Sequence, residues 1–235
     1  MTKTPIDIAL SNPEAAIGFL LDGPLHPGGT EATEELLDRA GVDAGTRLFD
    51  VGCGAGGAIE LAEERGAVAF GLDRSPGTDR AVRGDLTTFP IGDDSIDVVL
   101  AECALCLSED LDRTLSETRR VLRKGGRLAL SDVVVEGDPP SLPDPVVETL
   151  CLDGPRNPER LRRRIDEAGF AVGGVYDHRD DLLAMRDTME SKVDYEGLLN
   201  ALGARGQDLL AGIEELDEAV ESGRISYHSM VATAE

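Results

Sequence analysis

The chain has no tryptophan, and aromatic residues make up only 3% of it. A core in this sequence must therefore be built mainly from Leu, Val, Ile and Ala. Lysine is nearly absent as well: Lys3, Lys124 and Lys192 are the only ones among 23 basic residues, against 46 acidic ones, for a formal charge of -23. That field repels phosphate backbones and anionic membrane surfaces, which argues against nucleic acid as a partner. An acidic, Lys-poor surface suits solvation at high salt or a GC-rich genome, and it names no chemistry. No stretch approaches the roughly 18 to 20 uninterrupted apolar residues that a membrane span needs. The N-terminus MTKTPIDIALSNPEAA lacks a basic segment followed by an apolar one. The chain thus reads as soluble and cytoplasmic, with no membrane partner. Cysteine is scarce too. Cys53, Cys103, Cys106 and Cys151 are unlikely to form a disulfide framework in a reducing compartment, so each needs a reason in packing or reactivity.

What is present is an alternation of helical patterns and short apolar runs from about residue 31 to 133, the signature of βαβ units and a parallel sheet. At 235 residues the chain suits one substantial core with an elaboration. EATEELLDRA (31–40) predicts a helix with Ala32, Leu36, Leu37 and Ala40 on one face, and RLFDV (47–51) a central strand buried on both sides. A helix over 56–65, a strand over 67–72 and another over 95–101 follow. LDRTLSETRRVLR (111–123) predicts an amphipathic helix stopped by Gly125 and Gly126, ahead of a strand over 127–133. Past the proline-rich connection 136–145, a helix over 157–170 leads into a strand over 171–177. Residues 180–221 carry helical patterns broken near Gly203 to Gly206, which predicts a pair of helices before a last strand over 224–234.

LFDVGCGAGG places Asp50 at the end of the first strand, with Gly52, Gly54, Gly56 and Gly57 at the mouth of a helix. Glycines there let the backbone turn sharply and let a ligand approach main-chain amides at a helix N-terminus. The second strand ends at Asp73, 21 residues past Gly52, where a carboxylate can accept both hydroxyls of a ribose. Strand, glycine turn, helix, strand and acid in this order is a far more specific signal than a glycine pattern alone. Between Asp73 and Asp85 lie only 11 residues, RSPGTDRAVRG. A parallel crossover normally takes a dozen or more with a helix among them, so the helix is predicted to be missing or reduced to a turn. The third strand is then short, or lost, around Ala81 to Arg83.

DVGCGAG (50–56), GDLTTFPIGDDSIDVVL (84–100), RRVLRKGGRLALSD (119–132) and the final SYHSMVATA resemble the class I, Rossmann-like S-adenosylmethionine-dependent methyltransferases, of the type 11 kind. A nicotinamide dehydrogenase is the competing reading, and its third glycine spacing is not met. The resemblance implies an α/β fold: a doubly wound, mostly parallel sheet with an antiparallel last strand and a helical insertion before it. It implies one methyltransferase domain over 1–235, with a cofactor-binding core at 30–178 and 224–235 and a helical insertion or lid at 179–223. S-adenosylmethionine is the implied cofactor. The backbone from Gly52 through Cys53 and Gly54 to Gly56 would hold its methionine part, Asp73 its ribose, and Asp85 with Leu86 its adenine. Asp50 and Glu102 complete the implied cofactor set. Cys53 is given no chemistry of its own, since a small residue suffices there.

AECALCL (101–107) follows the fourth strand, on the side where parallel strands present ligands. That is an acceptor position rather than the helix N-terminus of a redox pair, and no resident metal is expected. Locally this segment, and ETLCLDG around Cys151, resemble arsenite methyltransferases. The resemblance implies that Cys103 and Cys151 are thiolate ligands for a trivalent metalloid, whose lone pair could attack the methyl without a protein base. That family's further cysteine ahead of the glycine turn has no counterpart in DGPLHPGG (22–29), where Cys106 or His26 could substitute. Cys106 also reads as a small buried hydrophobe. For an oxygen or nitrogen acceptor on a small organic molecule, His26 and His178 are candidate bases. His228 reads as structural, and Tyr195 with the helices of 180–221 would form a lid. The expected partner is a small-molecule acceptor. A cofactor-binding protein without turnover is the reading from a different class.

Overall fold

The computed structural model describes residues 9–21, 23–152 and 157–235. Residues 1–8, read above for a leader, Asp22 of the DGPLHPGG loop and the end of ETLCLDG at 153–154 lie outside the described residues. The elements run α1 (Pro13–Leu21), α2 (Gly29–Arg39), β1 (Arg47–Val51), α3 (Gly57–Glu64), β2 (Val68–Asp73) and β3 (Ala81–Arg83). Next come β4 (Ile96–Glu102), a 3-10 turn (Leu105–Leu107), α4 (Leu111–Val121), β5 (Leu122–Val135), α5 (Asp144–Thr149) and α6 (Pro158–Glu167). The chain closes with β6 (Phe170–Asp177), α7 (Arg179–Lys192), α8 (Tyr195–Asn200), α9 (Ala204–Glu221) and β7 (Ile225–Ala234).

The seven strands form one sheet in the order β3-β2-β1-β4-β5-β7-β6. Pairing is parallel from β3 through β5 and antiparallel between β6 and β7. The chain winds outward from β1 to β3 and then restarts on the other side of β1 with β4. This reversal of direction opens a crevice at the carboxyl ends of β1 and β4, where such sheets bind ligands.

The chain divides into two compact units. One consists of residues 30–132, 158–177 and 228–235, and carries most of the sheet. Side chains of successive strand residues point to opposite faces, so β1 sends Phe49 and Val51 into one apolar layer and Leu48 into the other. β4 does the same, with Val99 and Ala101 on the first face and Val98 and Leu100 on the second. Burial on both faces explains why these strands read as unbroken apolar runs. The first layer contains a small aromatic cluster: Phe49 lies 5.2 Å from both Phe70 and Phe89, the latter edge-on. The second is closed by Leu36, Leu37 and Ala40 of the segment around α2 and by Ile59 and Ala62 of α3. The other unit, residues 1–29, 133–157 and 178–227, is mostly helical. Its α8 starts on Asp194, whose Oδ1 accepts from the Gly197 amide at 2.9 Å, and Arg186 of α7 pairs with Asp217 and Glu221 of α9. Among the described residues no helix is long and apolar enough to cross a membrane.

Three local expectations are corrected. Residues 180–221 fold into three helices rather than two, because Asp194 caps a separate short one. The helix after β4 does not run to a glycine stop: it ends at Val121, and Leu122 is already extended at φ -73°, ψ 130°. Gly125 and Gly126 instead lie within β5, where pairing jumps from Ile96 with Leu122 to Val98 with Arg127. A Cβ on Gly126 would come within 2.9 Å of Arg123 O and 3.1 Å of Asp97 O, so crowding in this bulge requires the glycine. A short helix, α5, also starts at Asp144, inside the end of the proline-rich connection 136–145, a stretch expected to hold none. The segment from Arg74 to Arg80 holds no helix and β3 is three residues long, as the short spacing predicts.

Candidate active site

The carboxyl ends of β1, β2 and β4 converge on the glycine turn, and the conformation of that turn follows from missing side chains. Gly52, Gly54 and Gly56 all have left-handed φ, at 81°, 50° and 90°, a region that glycine enters without a Cβ penalty. A Cβ on Gly52 would lie 2.6 Å from Ala104 Cβ, and one on Gly56 would meet Thr78 Cγ2 at 2.8 Å. A Cβ on Gly54 would meet nothing within 4 Å. Two of the glycines are thus fixed by close packing, and the one between them faces open space. The turn is closed underneath by the amides of Gly52 and Cys53, which donate to Leu72 O at 2.7 and 3.3 Å.

Asp73, at the end of β2, is tied to the same turn. Its Oδ2 accepts from the Gly54 amide at 3.0 Å and its Oδ1 from the Ser75 amide at 2.7 Å. The helix-free segment after β2 also folds back here, with the Gly77 amide donating to Gly54 O at 2.8 Å. Cys53 fits because Gly71, on the neighbouring strand, has no side chain: a Cβ there would lie 2.6 Å from Cys53 Sγ and 2.9 Å from Ile59 Cδ1.

The electrostatics set two of these residues apart. Asp50 is 3% exposed, and burial, then the charges of Glu102 and Asp73, hold its carboxyl well above the usual range. Burial, followed by Asp50 and Asp73, pushes the Cys53 thiol up to about 12. At neutral pH Cys53 is therefore a protonated, inert thiol. Glu102, ending β4, accepts from Thr33 Oγ1 at both carboxylate oxygens, 3.1 and 3.0 Å away. Thr33 lies on the buried face of α2, and the sequence reading missed it. Its place one turn before Leu36 and Leu37 is the signal that could have found it.

On the far side of β2, Asp85 Oδ1 accepts from the amide and hydroxyl of Thr87 at 2.8 and 2.5 Å. These bonds, hydroxyl first, draw its carboxyl below the usual range. Leu86 is buried in the apolar layer beside Phe89, which anchors the exposed Asp85 to the core. Past β4, Cys103 is half-buried with φ at 48°, and its amide donates to Ser131 O at 2.8 Å. A left-handed non-glycine residue costs about 1–2 kcal/mol, so the backbone around it holds the cysteine there against a preference. Cys106 is buried in the 3-10 turn and is disulfide-bonded in this structure, which corrects the expectation of unbridged thiols.

Cys151 and His26 belong to the helical unit. Cys151 is buried, also left-handed at φ 57°, and its amide donates to Glu148 O at 3.1 Å. His26 Nδ1 is 3.2 Å from Pro27 O. His178 Nδ1 lies 3.2 Å from Asp181 Oδ2, and His228 pairs with Asp177 at 3.8 Å. Burial, then the nearby Glu190, pushes the Tyr195 phenol up to about 12, which keeps it a donor at neutral pH. The sheet unit therefore brings Asp50, Gly52, Cys53, Gly54, Gly56, Asp73 and Glu102 to one turn, with Asp85, Leu86 and Cys103 on the segments that flank it.

Residues 49–130 match the model of a family described as a methyltransferase domain. Over 188 residues the chain is 37% identical to Methyltransferase GfsG of Streptomyces halstedii, a match covering 71% of this chain and 64% of that protein. It is 31% identical over 157 residues to the arsenite methyltransferase of Halobacterium salinarum, covering 56% of this chain and 39% of the other. The chain thus spans less than two thirds of the length of these curated relatives. Among solved structures, phosphoethanolamine N-methyltransferase 2 of Haemonchus contortus in complex with S-adenosyl-L-methionine shares the fold. Its TM-score is 0.71 at 20% identity, with 99% of this chain and 60% of that one covered. Residues 49–130 thus form a methyltransferase domain, and the chain is similar in sequence and fold to the class I, Rossmann-like S-adenosylmethionine-dependent methyltransferases. The open space at Gly54, bordered by backbone amides and the Asp73 carboxylate, fits the cofactor of that class.

Proposed function

We propose that the protein transfers the methyl group of S-adenosylmethionine to a small-molecule acceptor. The observation that carries this reading is the glycine turn: two glycines locked by packing, a third facing open space, and Asp73 held across them. When bound, the cofactor supplies a methyl group activated on a sulfonium. The chain's residues bind and orient. Backbone from Gly52 to Gly56 takes the methionine part and Asp73 the ribose hydroxyls. Asp85, whose Oδ1 is engaged by Thr87, offers Oδ2 to the adenine amine. The carboxylates of Glu102 and Asp73 give the pocket a negative bias that suits a cationic ligand, and the same charges, with burial, favour the neutral form of Asp50. Chemistry then requires alignment of the acceptor with the methyl carbon and sulfur. An oxygen or nitrogen acceptor also has to lose a proton, and His26 is the candidate base.

A second reading of the acceptor is a thiol-bound soft species such as trivalent arsenic. The left-handed placement of Cys103 after β4 and the similarity to an arsenite methyltransferase support it; Cys103 is a free thiol, whereas Cys151 is disulfide-bonded in this structure and would supply a thiolate only once reduced. Calorimetric titration with S-adenosylmethionine tests the central claim. Binding is expected in the wild type and its loss in Gly54→Arg, which fills the open space; no binding, or binding unchanged by the substitution, would refute it. Binding of trivalent arsenic that is unchanged in both Cys103→Ser and Cys151→Ser would remove the second reading.

A further inference from the structure

Between β3 and β4 the backbone from Gly84 to Ser95 contains no helix or strand, yet its polar groups are bonded at regular intervals to one helix. Arg113 Nε donates to Thr87 O at 3.2 Å. Glu117 Oε2 accepts from the Phe89 amide at 2.9 Å. Arg120 donates to Phe89 O at 3.1 Å, Ile91 O at 2.8 Å and Asp93 Oδ1 at 2.7 Å. Its carbonyl accepts from the Asp94 amide at 3.0 Å. Glu117 and Arg120 are bonded to each other as well, at 2.9 and 2.8 Å. Positions 113, 117 and 120 share one face of α4, and that face meets residues 87, 89, 91 and 93 of the segment in turn. The side chains of α4 therefore satisfy main-chain groups of a segment that has no ladder of its own. Leu86 and Phe89 anchor its other side in the apolar layer.

We propose that Arg113, Glu117 and Arg120 are positioning residues for the adenine of the cofactor, acting through the segment that presents Asp85. This rests on the methyltransferase reading. Thr87 links the two halves: its amide and hydroxyl engage Asp85 Oδ1 while its carbonyl is held by Arg113. The ledge on α4 thereby fixes where Asp85 Oδ2 stands. A carboxylate oxygen can accept from the exocyclic amine of adenine but gains nothing from the carbonyl that replaces the amine in hypoxanthine. Preference for S-adenosylhomocysteine over S-inosylhomocysteine is thus a direct reading of Asp85 placement, since the two ligands share every other group but the ring N1 proton.

The test is calorimetric titration of the full chain and its variants with both ligands. The wild type is expected to prefer the adenosyl ligand by at least about tenfold. Glu117→Gln, which keeps the shape and removes the charge facing Arg120, should lose most of that preference. Arg113→Ala, at the exposed end of the ledge, should lose a smaller part, and it serves alone if Glu117→Gln does not fold. A merely structural role would weaken both ligands together and leave their ratio unchanged. An unchanged ratio in the folded variants, or a wild type that binds both ligands equally, would overturn the proposal while leaving the methyltransferase reading standing. Failure of the wild type to bind S-adenosylhomocysteine would instead sink that reading and this proposal with it.

Discussion

The glycine turn at 52–56 and the segment at 84–95 are both irregular backbone beside β2, and they are held in opposite ways. The turn is fixed by side chains that are missing. Gly52, Gly56 and Gly71 each leave room for an atom that a Cβ would displace by close contact. The segment is fixed by long side chains sent from α4, with a nearly buried carboxylate, a guanidinium and main-chain groups satisfying one another. Steric fixing of the first kind has no titratable part and no screening by salt. Polar fixing of the second kind depends on the charge state of Glu117, which its bonds to Arg120 draw down to about 2.

Adding one methyl group to the first region is the most damaging change. Gly71→Ala would force three contacts under 3 Å at Cys53 and Ile59, and a cost of about 3 kcal/mol is expected in urea unfolding. Combining it with Cys53→Gly should cost less than the sum of the two single changes; simple additivity would show that the contact does not govern the site. In the second region, Glu117→Gln is expected to cost about 2–3 kcal/mol at pH 7. Because the folded pKa of Glu117 is depressed, its contribution is fully present above about 4.5 and is lost as pH falls toward about 2. The difference between wild type and variant should therefore close across that window. A gap that stayed constant with pH would mean that shape, not charge, holds the segment. Cys103 is a useful intermediate, since it adopts a glycine conformation without being glycine. Cys103→Gly should gain up to about 1 kcal/mol, measurable as a raised Tm, and a loss would show that the side chain contributes more packing than strain. The smallest effect, within about 0.5 kcal/mol, is expected for Arg113→Ala, which removes one exposed rung.

The same contrast explains what could be read from the sequence. The glycine turn was legible because its cause is local: glycines four residues or fewer apart, flanked by a strand and a helix, with Asp73 at a fixed distance along the chain. The missing helix after β2 was legible from a residue count alone. The ledge was not, because Glu117 and the Phe89 amide are 28 residues apart and LDRTLSETRR reads simply as the polar face of an amphipathic helix. Thr33 and Glu102, 69 residues apart, escaped for the same reason. Gly125 and Gly126 resemble a helix stop, and only the pairing of β5 with β4 shows that they serve a bulge. Neither the left-handed backbone at Cys103 nor that at Cys151 has any signal in residue type, since cysteine is not a residue that favours it.

The bare position at Gly71 has a consequence for any library or lineage built on this scaffold. The glycine motif visible at 52–57 has a silent member on the next strand, where the sequence AFGLD offers no hint of membership. Residue 53 can grow only while residue 71 stays empty, so the two positions form a single evolutionary unit. Substitutions tolerated at one are set by the occupant of the other, and grafting the motif without its remote partner transfers a turn that cannot close.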